Sequence, residues 1–350
     1  MGFSYQNHNI STDKKINTLV GLGQYLNALL DSQSENDFNI NKLLNEVFYR
    51  NKWFSETYVI FSIRQWSKVL TLENLYNWLE AYNLNPIIPK KVGLILPGNI
   101  PAVGFHNVIC TWLSGHHPKI KLSSKDDILI PFFCSFIENK LNHSCFEIVE
   151  KRLTDFDAVI ATGTNNTIHH FDYYFRKVPR LLRSNRSSVA VIQGNDSSQE
   201  LEKLGKDLFT YYGLGCRNVS KIYLPENFKL NKIIQAVDSY KHLRDSSKYD
   251  NNLTYQKAVC FLQNQKFTDG GFFLMQESKN LHAPISMIYY EYYTSFKELI
   301  EVLNTKENQI QCIVSSSEVF DNSVEFGQTQ SPQLWDYADG VDTMSFLENL

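Results

Sequence analysis

The segment Val92-Gly93-Leu94-Ile95-Leu96-Pro97-Gly98-Asn99-Ile100-Pro101 decides the fold prediction, because it combines a short apolar run with an abrupt stop. The run ends at a Pro-Gly turn, and a mixed apolar stretch follows as far as Trp112. An apolar run that is closed by turn residues is typical of a buried strand. This order therefore predicts a strand, a sharp turn and then a helix.

Three further extended segments repeat this pattern, at residues 118–122, 157–161 and 188–192. Small or hydroxyl-bearing residues follow the first two, in Ser123-Ser124 and in Thr162-Gly163-Thr164. Strand–turn–helix units in series predict a parallel sheet with helices on both faces. In such α/β folds ligands bind beyond the carboxyl ends of the strands, so these turns are the candidate binding residues.

The rest of the chain predicts helices before this sheet and a second α/β region after it. Apolar residues recur at three- and four-residue steps between residues 16 and 79, which indicates helices. We expect residues 1–194 to form N-terminal helices and a Rossmann-type nucleotide-binding domain, and residues 195–320 a catalytic domain. Residues 321–335 are expected to return to the first domain, and residues 336–350 to form a C-terminal segment.

Composition narrows the class of protein. The 350 residues are 43% hydrophobic and 20% charged, as in a globular protein, and the formal net charge of -3 predicts no general attraction to nucleic acid or anionic membranes. The six cysteines include no CxxC pair, which favours a reducing compartment and no metal site. The polar N-terminus and the absence of a long apolar run predict a cytoplasmic protein that is not an integral membrane protein.

Cys216 is the candidate nucleophile. It lies in Gly213-Leu214-Gly215-Cys216, directly before an apolar segment that is expected to be a strand. Glycines before the thiol allow close approach of backbone and substrate, and a thiolate is a strong nucleophile whose acyl adduct is a reactive thioester. The alternative is a small buried hydrophobe in a glycine turn, which is the ordinary environment of a free cysteine.

Other candidate residues follow the predicted strands. Asn99 could donate its amide to a developing oxyanion, or it could simply belong to a chain reversal. Lys121 and Ser124 suit a ribose or phosphate, or they are an ordinary solvated strand end. Thr162-Gly163-Thr164 could hold a phosphate at a helix N-terminus, or it is only a helix cap. Five histidines could suggest a metal site, but none of them is paired with a carboxylate at ligand spacing, so we expect no metal; they are His106, His116, His117, His169 and His170.

Taken in order, six segments resemble the aldehyde dehydrogenase superfamily. They cover most of the chain after Val92 and are Val92–Pro101, Lys119–Ser124, Ala161–Thr164, Gly213–Cys216, Leu281–Ile285 and Phe326–Pro332. The resemblance implies a Rossmann-type cofactor domain and a second α/β catalytic domain.

The resemblance also implies roles for individual residues. Cys216 would be the nucleophile and Asn99 the oxyanion-hole asparagine. Lys121 would hold the adenosine ribose, and Gly163 and Thr164 would form the turn under the pyrophosphate.

Departures from the superfamily pattern indicate a branch. Arg183-Ser184-Asn185-Arg186 stands where hydrolytic members carry a water-activating glutamate, so hydrolysis of an acyl-enzyme is not expected. Asn280 stands in place of a ribose-binding glutamate, which leaves its role as a cofactor residue open. Ser124 replaces a glutamate that would repel a 2′-phosphate, and together with Lys121 this favours NADPH.

The nearest resemblance is to LuxC-type acyl-CoA reductases, which share the Arg-Ser-Asn-Arg segment and the Gly-x-Gly-Cys turn. It implies NADPH-dependent reduction of a long-chain acyl-CoA to the aldehyde through a Cys216 acyl-enzyme. It further implies a homo-oligomer, with an acyltransferase or acyl-carrier protein as a possible partner. Two alternatives stay open: an acyl-phosphate reductase that uses Arg183 or Arg186 as a phosphate site, and a noncatalytic scaffold or binding protein with the same fold.

Overall fold

The computed structural model describes residues 10–31, 40–84, 88–316, 320 and 323–350. Contacts between residues divide the chain into two compact units. The first contains the chain up to Ser184 together with Gln333–Leu350, and the second contains Asn185–Pro332. Each unit has its own sheet, so the predicted architecture of two α/β regions is confirmed.

The first unit begins with four helices, as the apolar spacing predicts. They are α1 (Thr12–Asp31), α2 (Ile40–Arg50), α3 (Glu56–Val69) and α4 (Leu72–Leu79). Leu19, Leu22 and Leu26 recur on one face of α1 and are fully buried. The Thr71 hydroxyl caps α4 by accepting a hydrogen bond from the Asn74 NH at 3.2 Å.

A five-stranded parallel sheet follows these helices. Its strands are β1 (Lys91–Ile95), β2 (His117–Lys121), β3 (Glu147–Ile148), β4 (Ala158–Thr162) and β5 (Arg180–Arg183), in the order β3-β2-β1-β4-β5. The connections include α5 (Phe105–Leu113), α6 (Leu129–Leu141) and α7 (Asn165–Tyr174). Residues 158–161 are apolar and buried without interruption, as expected for a parallel strand that is covered on both faces.

The second unit contains a six-stranded sheet. Its strands are β6 (Ser187–Val191), β7 (Val219–Pro225), β8 (Thr268–Asp269), β9 (Leu274–Glu277), β10 (Met287–Tyr293) and β11 (Ile310–Val314). Their order is β11-β6-β7-β10-β9-β8, and only the β8–β9 pair is antiparallel.

Helices connect these strands and close the chain. They are α8 (Ser198–Phe209), α9 (Asn231–Ala236), α10 (Ser247–Leu262), α11 (Phe296–Thr305) and, in the first unit, α12 (Thr343–Glu348). 3₁₀ segments occupy Thr210–Gly213, Asp238–Asp245, Glu307–Gln309 and Ala338–Gly340.

The boundary between the units differs from the predicted one at residue 194. The extended segment 188–192 was expected to extend the first sheet, but it forms β6, which pairs with β7 and β11 of the second sheet. The chain therefore passes into the second unit at Asn185. A buried apolar strand looks the same in sequence whichever sheet it joins, which is why the pattern gave the wrong boundary.

The expected return of residues 321–335 to the first unit is correct only from Gln333 onward. Residues 321 and 322 lie outside the described part of the chain. The Asp207 carboxylate holds the preceding loop in the second unit, accepting hydrogen bonds from the NH groups of Gly327 at 2.6 Å and Thr329 at 3.0 Å. Beyond it, the Leu334 carbonyl lies 2.7 Å from Nε2 of His106 in the first unit.

Candidate active site

The first sheet brings the predicted cofactor segments to one edge. Strands β2, β1 and β4 are neighbours and run parallel, so their carboxyl ends lie side by side. The residues at or after these ends are Asn99, Lys121, Ser124, Gly163 and Thr164. This edge is where an α/β sheet binds its ligands. The predicted residues are therefore assembled at a suitable place, although their individual roles stay a prediction.

The loop that carries Asn99 is held by two hydrogen bonds at the residues just after it, Pro101 and Ala102. Asn99 is exposed. The NH of Ala102 donates to Oδ2 of Asp126 at 2.7 Å, and the Ser62 hydroxyl donates to the Pro101 carbonyl at 2.8 Å. Burial raises the pKa of Asp126 to about 7, against the opposing effect of hydrogen bonds from the backbone of Ala102 and Leu129.

The turns after β1 and β2 approach each other closely. A Cβ atom at Gly98 would collide with the side chain of Ser123, so this position requires glycine. Lys121 donates from Nζ to the backbone carbonyl of Glu150, just after β3, while Ser124 is exposed. An ammonium group and a hydroxyl are thus both available at the end of β2.

The turn after β4 opens helix α7. Thr164 is the N-cap, and its hydroxyl accepts a hydrogen bond from the Thr167 NH at 3.3 Å. Gly163 donates its NH to the Arg183 carbonyl at 3.0 Å, and a Cβ there would lie only 2.9 Å from Cγ2 of Thr167. The capping alternative is therefore observed, while the NH groups of the helix's first turn still favour an anion.

Cys216 lies three residues before β7, at the amino edge of the second sheet. It is partly exposed, whereas the other five cysteines of the chain are buried. Its backbone carbonyl accepts a hydrogen bond from the Ser188 hydroxyl at 3.0 Å. The partial exposure of the residue argues against the alternative of a buried small hydrophobe.

Burial makes the remaining thiols poor nucleophiles, since the reactive species is the thiolate. It raises the pKa of four of them above that of an ordinary thiol, and the four are Cys110, Cys134, Cys145 and Cys260. Cys312 is also buried, and its sulfur accepts a hydrogen bond from Nη1 of Arg217 at 3.5 Å. Cys216 is therefore the one cysteine that burial does not make a poor nucleophile, and its role as nucleophile stays a prediction.

His282 and Ser187 lie at the same edge of the sheet as Cys216, because β6, β7 and β10 are parallel neighbours. His282 precedes β10, and its Nδ1 lies 3.2 Å from the hydroxyl of Ser187 at the start of β6. The residue is exposed as a whole, but desolvation lowers the pKa of its ring. His282 lies in the predicted Leu281–Ile285 segment, but the sequence predicts no role for it.

Asn280 lies between β9 and β10 and is exposed, and its backbone NH donates to the Ser278 hydroxyl at 3.2 Å. The nearby buried Lys221 on β7 pairs with Glu291 at 2.6 Å and also donates to the Ser278 carbonyl. Lys221 thus holds the segment that leads to Asn280, a role that its position in an apolar strand did not suggest. Asn280 as a cofactor residue remains a prediction.

The two arginines of the Arg183-Ser184-Asn185-Arg186 segment donate hydrogen bonds to groups within their own units. Arg183 is buried and donates to the Ala338 carbonyl and to the Thr343 hydroxyl, the latter at 2.7 Å. Arg186 donates to the Ile310 carbonyl at 3.2 Å. Guanidinium groups used in this way stabilise chain segments, which weighs against the alternative of an acyl-phosphate site built on them.

The described residues hold neither a cluster of metal ligands nor a membrane-spanning helix. They contain no group of three or more histidine, cysteine, aspartate or glutamate side chains that could hold a metal ion. They also contain no helix that is long and apolar enough to cross a membrane.

No protein-family model and no curated protein sequence matches this chain. Solved structures do match it. A putative aldehyde dehydrogenase from Burkholderia cenocepacia aligns with a TM-score of 0.66 at 11% identity, over 89% of this chain and 76% of that chain. An indole-3-acetaldehyde dehydrogenase complexed with NAD+ gives 0.64 at 12% identity, over 90% and 74%. The Mycobacterium tuberculosis aldehyde dehydrogenase complexed with NAD+ gives 0.62 at 12% identity, over 88% and 73%. The chain therefore has the aldehyde dehydrogenase fold, as its sequence predicts.

Proposed function

We propose that the protein reduces a long-chain acyl-CoA thioester to the aldehyde, with NADPH, through an acyl-enzyme on Cys216. The observation that carries this proposal is the exposure of Cys216 alone among six cysteines, at a sheet edge in a chain with the aldehyde dehydrogenase fold. The preference for an acyl-CoA and its long chain rests on the resemblance of the Arg183–Arg186 and Gly213–Cys216 segments to LuxC-type reductases.

In the proposed reaction the Cys216 thiolate attacks the thioester carbonyl, forming a new carbon–sulfur bond. The Asn99 amide and a backbone NH near Cys216 stabilise the tetrahedral oxyanion, at about 3 kcal/mol for each donor. Coenzyme A leaves as its thiolate and takes up a proton, which leaves the acyl group on Cys216. The two thioesters are close in energy, so little acid–base assistance is needed.

The chemistry that NADPH supplies when bound is hydride transfer. The residues at the carboxyl edge of the first sheet fit such a nucleotide, because they offer the Lys121 ammonium, the exposed Ser124 hydroxyl and the first-turn NH groups after Thr164. After reduction, the thiohemiacetal on Cys216 collapses and releases the aldehyde and the thiolate. The balance is one acyl-CoA, one NADPH and one proton converted to aldehyde, CoA and NADP+.

The choice of thioester over other acyl groups rests on residues 183–186. This segment lacks a carboxylate that could activate water. The acyl group on Cys216 therefore either accepts a hydride or is transferred back to a thiol. Its arginines bind backbone carbonyls, which disfavours an acyl phosphate. The alternative of a noncatalytic scaffold does not explain why Cys216 is the one cysteine that is partly exposed. The acyl donor is CoA, or a carrier protein or acyltransferase acting as partner, and the proposal includes a homo-oligomer.

The test is incubation of the protein with radiolabelled long-chain acyl-CoA without any nicotinamide nucleotide. We expect a covalent adduct of one acyl group per chain, released as aldehyde when NADPH is added. The same incubation with a labelled acyl phosphate should give far less adduct. Absence of an adduct from acyl-CoA would reject the proposed reaction, and efficient labelling by the acyl phosphate would favour the second candidate.

A further inference from the structure

The loop before Cys216 has an unusual backbone. Tyr211, Tyr212 and Gly213 have φ values of 55°, 58° and 77°, so three successive residues occupy the left-handed region. Only the last of them is glycine, and tyrosine is disfavoured there because its Cβ crowds the backbone. Both tyrosines are nevertheless buried, and the Tyr212 ring packs against Tyr249 at 5.8 Å between centroids. A loop in this conformation persists only if its surroundings hold it.

Asn218 supplies the bonds that hold it. Its side chain is buried, and Oδ1 accepts a hydrogen bond from the Gly215 NH at 2.8 Å. Nδ2 donates to the carbonyls of Thr210 at 2.9 Å and Asp207 at 3.1 Å. The Asn218 NH in turn donates to the Gly215 carbonyl at 3.0 Å. These bonds join the end of helix α8, the left-handed turn and the residue directly before the thiol.

The chemistry of the amide suits this place closely. The site needs one acceptor for an NH group and two donors for carbonyls, all from one short side chain. Aspartate has no donor when ionised, and leucine, of similar size, has neither donor nor acceptor. Asparagine alone among side chains of this length meets all three bonds, so no other residue would reproduce the arrangement.

We propose that Asn218 is a positioning residue that holds the Cys216 thiol in the orientation needed for attack. This inference rests on the proposed role of Cys216 as nucleophile. Asn218 closes the loop on both sides of the thiol, since Gly215 precedes Cys216 and Asn218 follows it by two residues. Without the amide, the turn is released while β7 keeps its pairing with β6 and β10. The fold therefore survives, but the thiol samples several orientations.

The experiment compares the full-length protein with Asn218→Ala and with a matched control, Asn51→Ala. Asn51 is also buried and also joins backbone groups, accepting from the Trp53 NH at 3.1 Å and donating to the Lys125 carbonyl at 3.2 Å, but it belongs to the first unit. Both variants should unfold at lower urea concentration. If Asn218→Ala does not fold, Asn218→Asp replaces it, since it keeps the acceptor and loses both donors.

Two readouts decide the question. The first is the single-turnover rate of acylation by acyl-CoA, which should fall at least tenfold in Asn218→Ala and stay near wild type in Asn51→Ala. The second is the ¹⁹F spectrum of a trifluoromethyl label attached to Cys216, which needs no enzymatic activity. It should change from one sharp resonance to a broad or multiple signal in Asn218→Ala only.

The possible results separate the two proposals. Unchanged acylation in Asn218→Ala overturns the positioning role, whatever the label shows. Slow acylation with an unchanged resonance also overturns it, because Asn218 would then act by another route. If the wild-type protein is not acylated at all, the proposed function is rejected. The ¹⁹F spectrum of the label on Cys216 then tests the positioning role of Asn218 by itself. A signal that is heterogeneous in Asn218→Ala would then support positioning, and an unchanged signal would reject it.

Discussion

The hydroxyl of Ser188 donates a hydrogen bond to the backbone carbonyl of Cys216, with 3.0 Å between the two oxygens. Ser188 is a fully buried residue of β6, while Cys216 lies in the loop before the neighbouring β7. The position of the Cys216 backbone therefore depends on the pairing of two sheet strands. Cys216 can therefore be fixed in its backbone although the residue is only partly buried.

The first prediction concerns the site of acylation. Cys216→Ala should lose all acyl labelling and all aldehyde formation, while its urea unfolding curve stays close to wild type because Cys216 is only partly buried. Cys260→Ala is the control, since that thiol is buried and should be dispensable for labelling. Peptide mapping by mass spectrometry checks the result, and an acyl group on any other cysteine would contradict the assignment.

The second prediction concerns Asn99. If its amide stabilises the oxyanion, Asn99→Ala should slow both acylation and aldehyde oxidation by roughly a hundredfold or more. Its fold should be intact, because Asn99 is exposed and the loop is held through Ala102 and Pro101. Steady-state kinetics in both directions give the answer, with the exposed Asn139→Ala as control. A decrease of less than about threefold in these rates would show that Asn99 does not stabilise the oxyanion.

The third prediction concerns nucleotide choice. Ser124 is exposed at the end of β2 near Lys121, so a 2′-phosphate could be accommodated there. Ser124→Glu should lower the affinity for NADPH at least tenfold and leave the affinity for NADH nearly unchanged, because a carboxylate repels the 2′-phosphate. Ser239→Glu, an exposed serine in the second unit, controls for added charge. Fluorescence titration measures both affinities, and equal wild-type affinities for NADPH and NADH would refute this interpretation.

The sequence predicted three of the five strands of the first sheet, β1, β2 and β4, because each is an extended segment followed by turn residues. It did not predict β3, which has only two residues, or β5, in which two arginines flank two leucines. Leu94 is fully buried in β1, and the strand ends at Ile95, just before Pro97-Gly98. It also predicted that Asn99, Lys121 and Gly163 share one edge, since parallel strands align their carboxyl ends.

The remaining features depend on long-range contacts that local patterns do not contain. Strand β6 was predicted for the wrong sheet, because Val189 and Ala190 are buried apolar residues that could pair with either neighbour. Asn218 was not singled out, since its partners Thr210 and Gly215 are ordinary backbone groups. Only the folded loop shows that a single amide joins them.

The fourth prediction concerns stability against pH. Burial raises the pKa of Asp126 to about 7 and that of Asp207 to about 6, both above the unfolded value of about 4. The folded protein therefore binds protons that the unfolded chain has released, so these groups stabilise it below pH 4 and this contribution is lost as the pH rises to about 7.

Urea unfolding between pH 4 and pH 8 measures this effect. Asp126→Asn should flatten the decline in the free energy of unfolding across the whole window, including pH 6 to 7. Asp207→Asn, the matched variant, should flatten only the part below about pH 6. If the free energy of unfolding instead rises from pH 4 to pH 7, with the same slope in wild type and both variants, neither carboxyl group has a raised pKa.

The last prediction separates acyl transfer from hydrolysis. Residues 183–186 offer no carboxylate to activate water, and their arginines bind the carbonyls of Ala338 and Ile310. An acyl group on Cys216 should therefore persist in water until a thiol removes it. With a long-chain aldehyde and NADP+, the protein should release about one NADPH per active site and then stop.

Addition of CoA should restore continuous turnover and yield acyl-CoA, because thioester exchange frees Cys216 for the next cycle. Stopped-flow absorbance with and without CoA measures the burst, and Cys216→Ala, which has no nucleophile, should give none. Sustained production of free fatty acid without CoA would mean that another group activates water. The acyl-CoA reductase proposal would then give way to a hydrolytic aldehyde dehydrogenase, which would keep Cys216 as nucleophile but require a base outside residues 183–186.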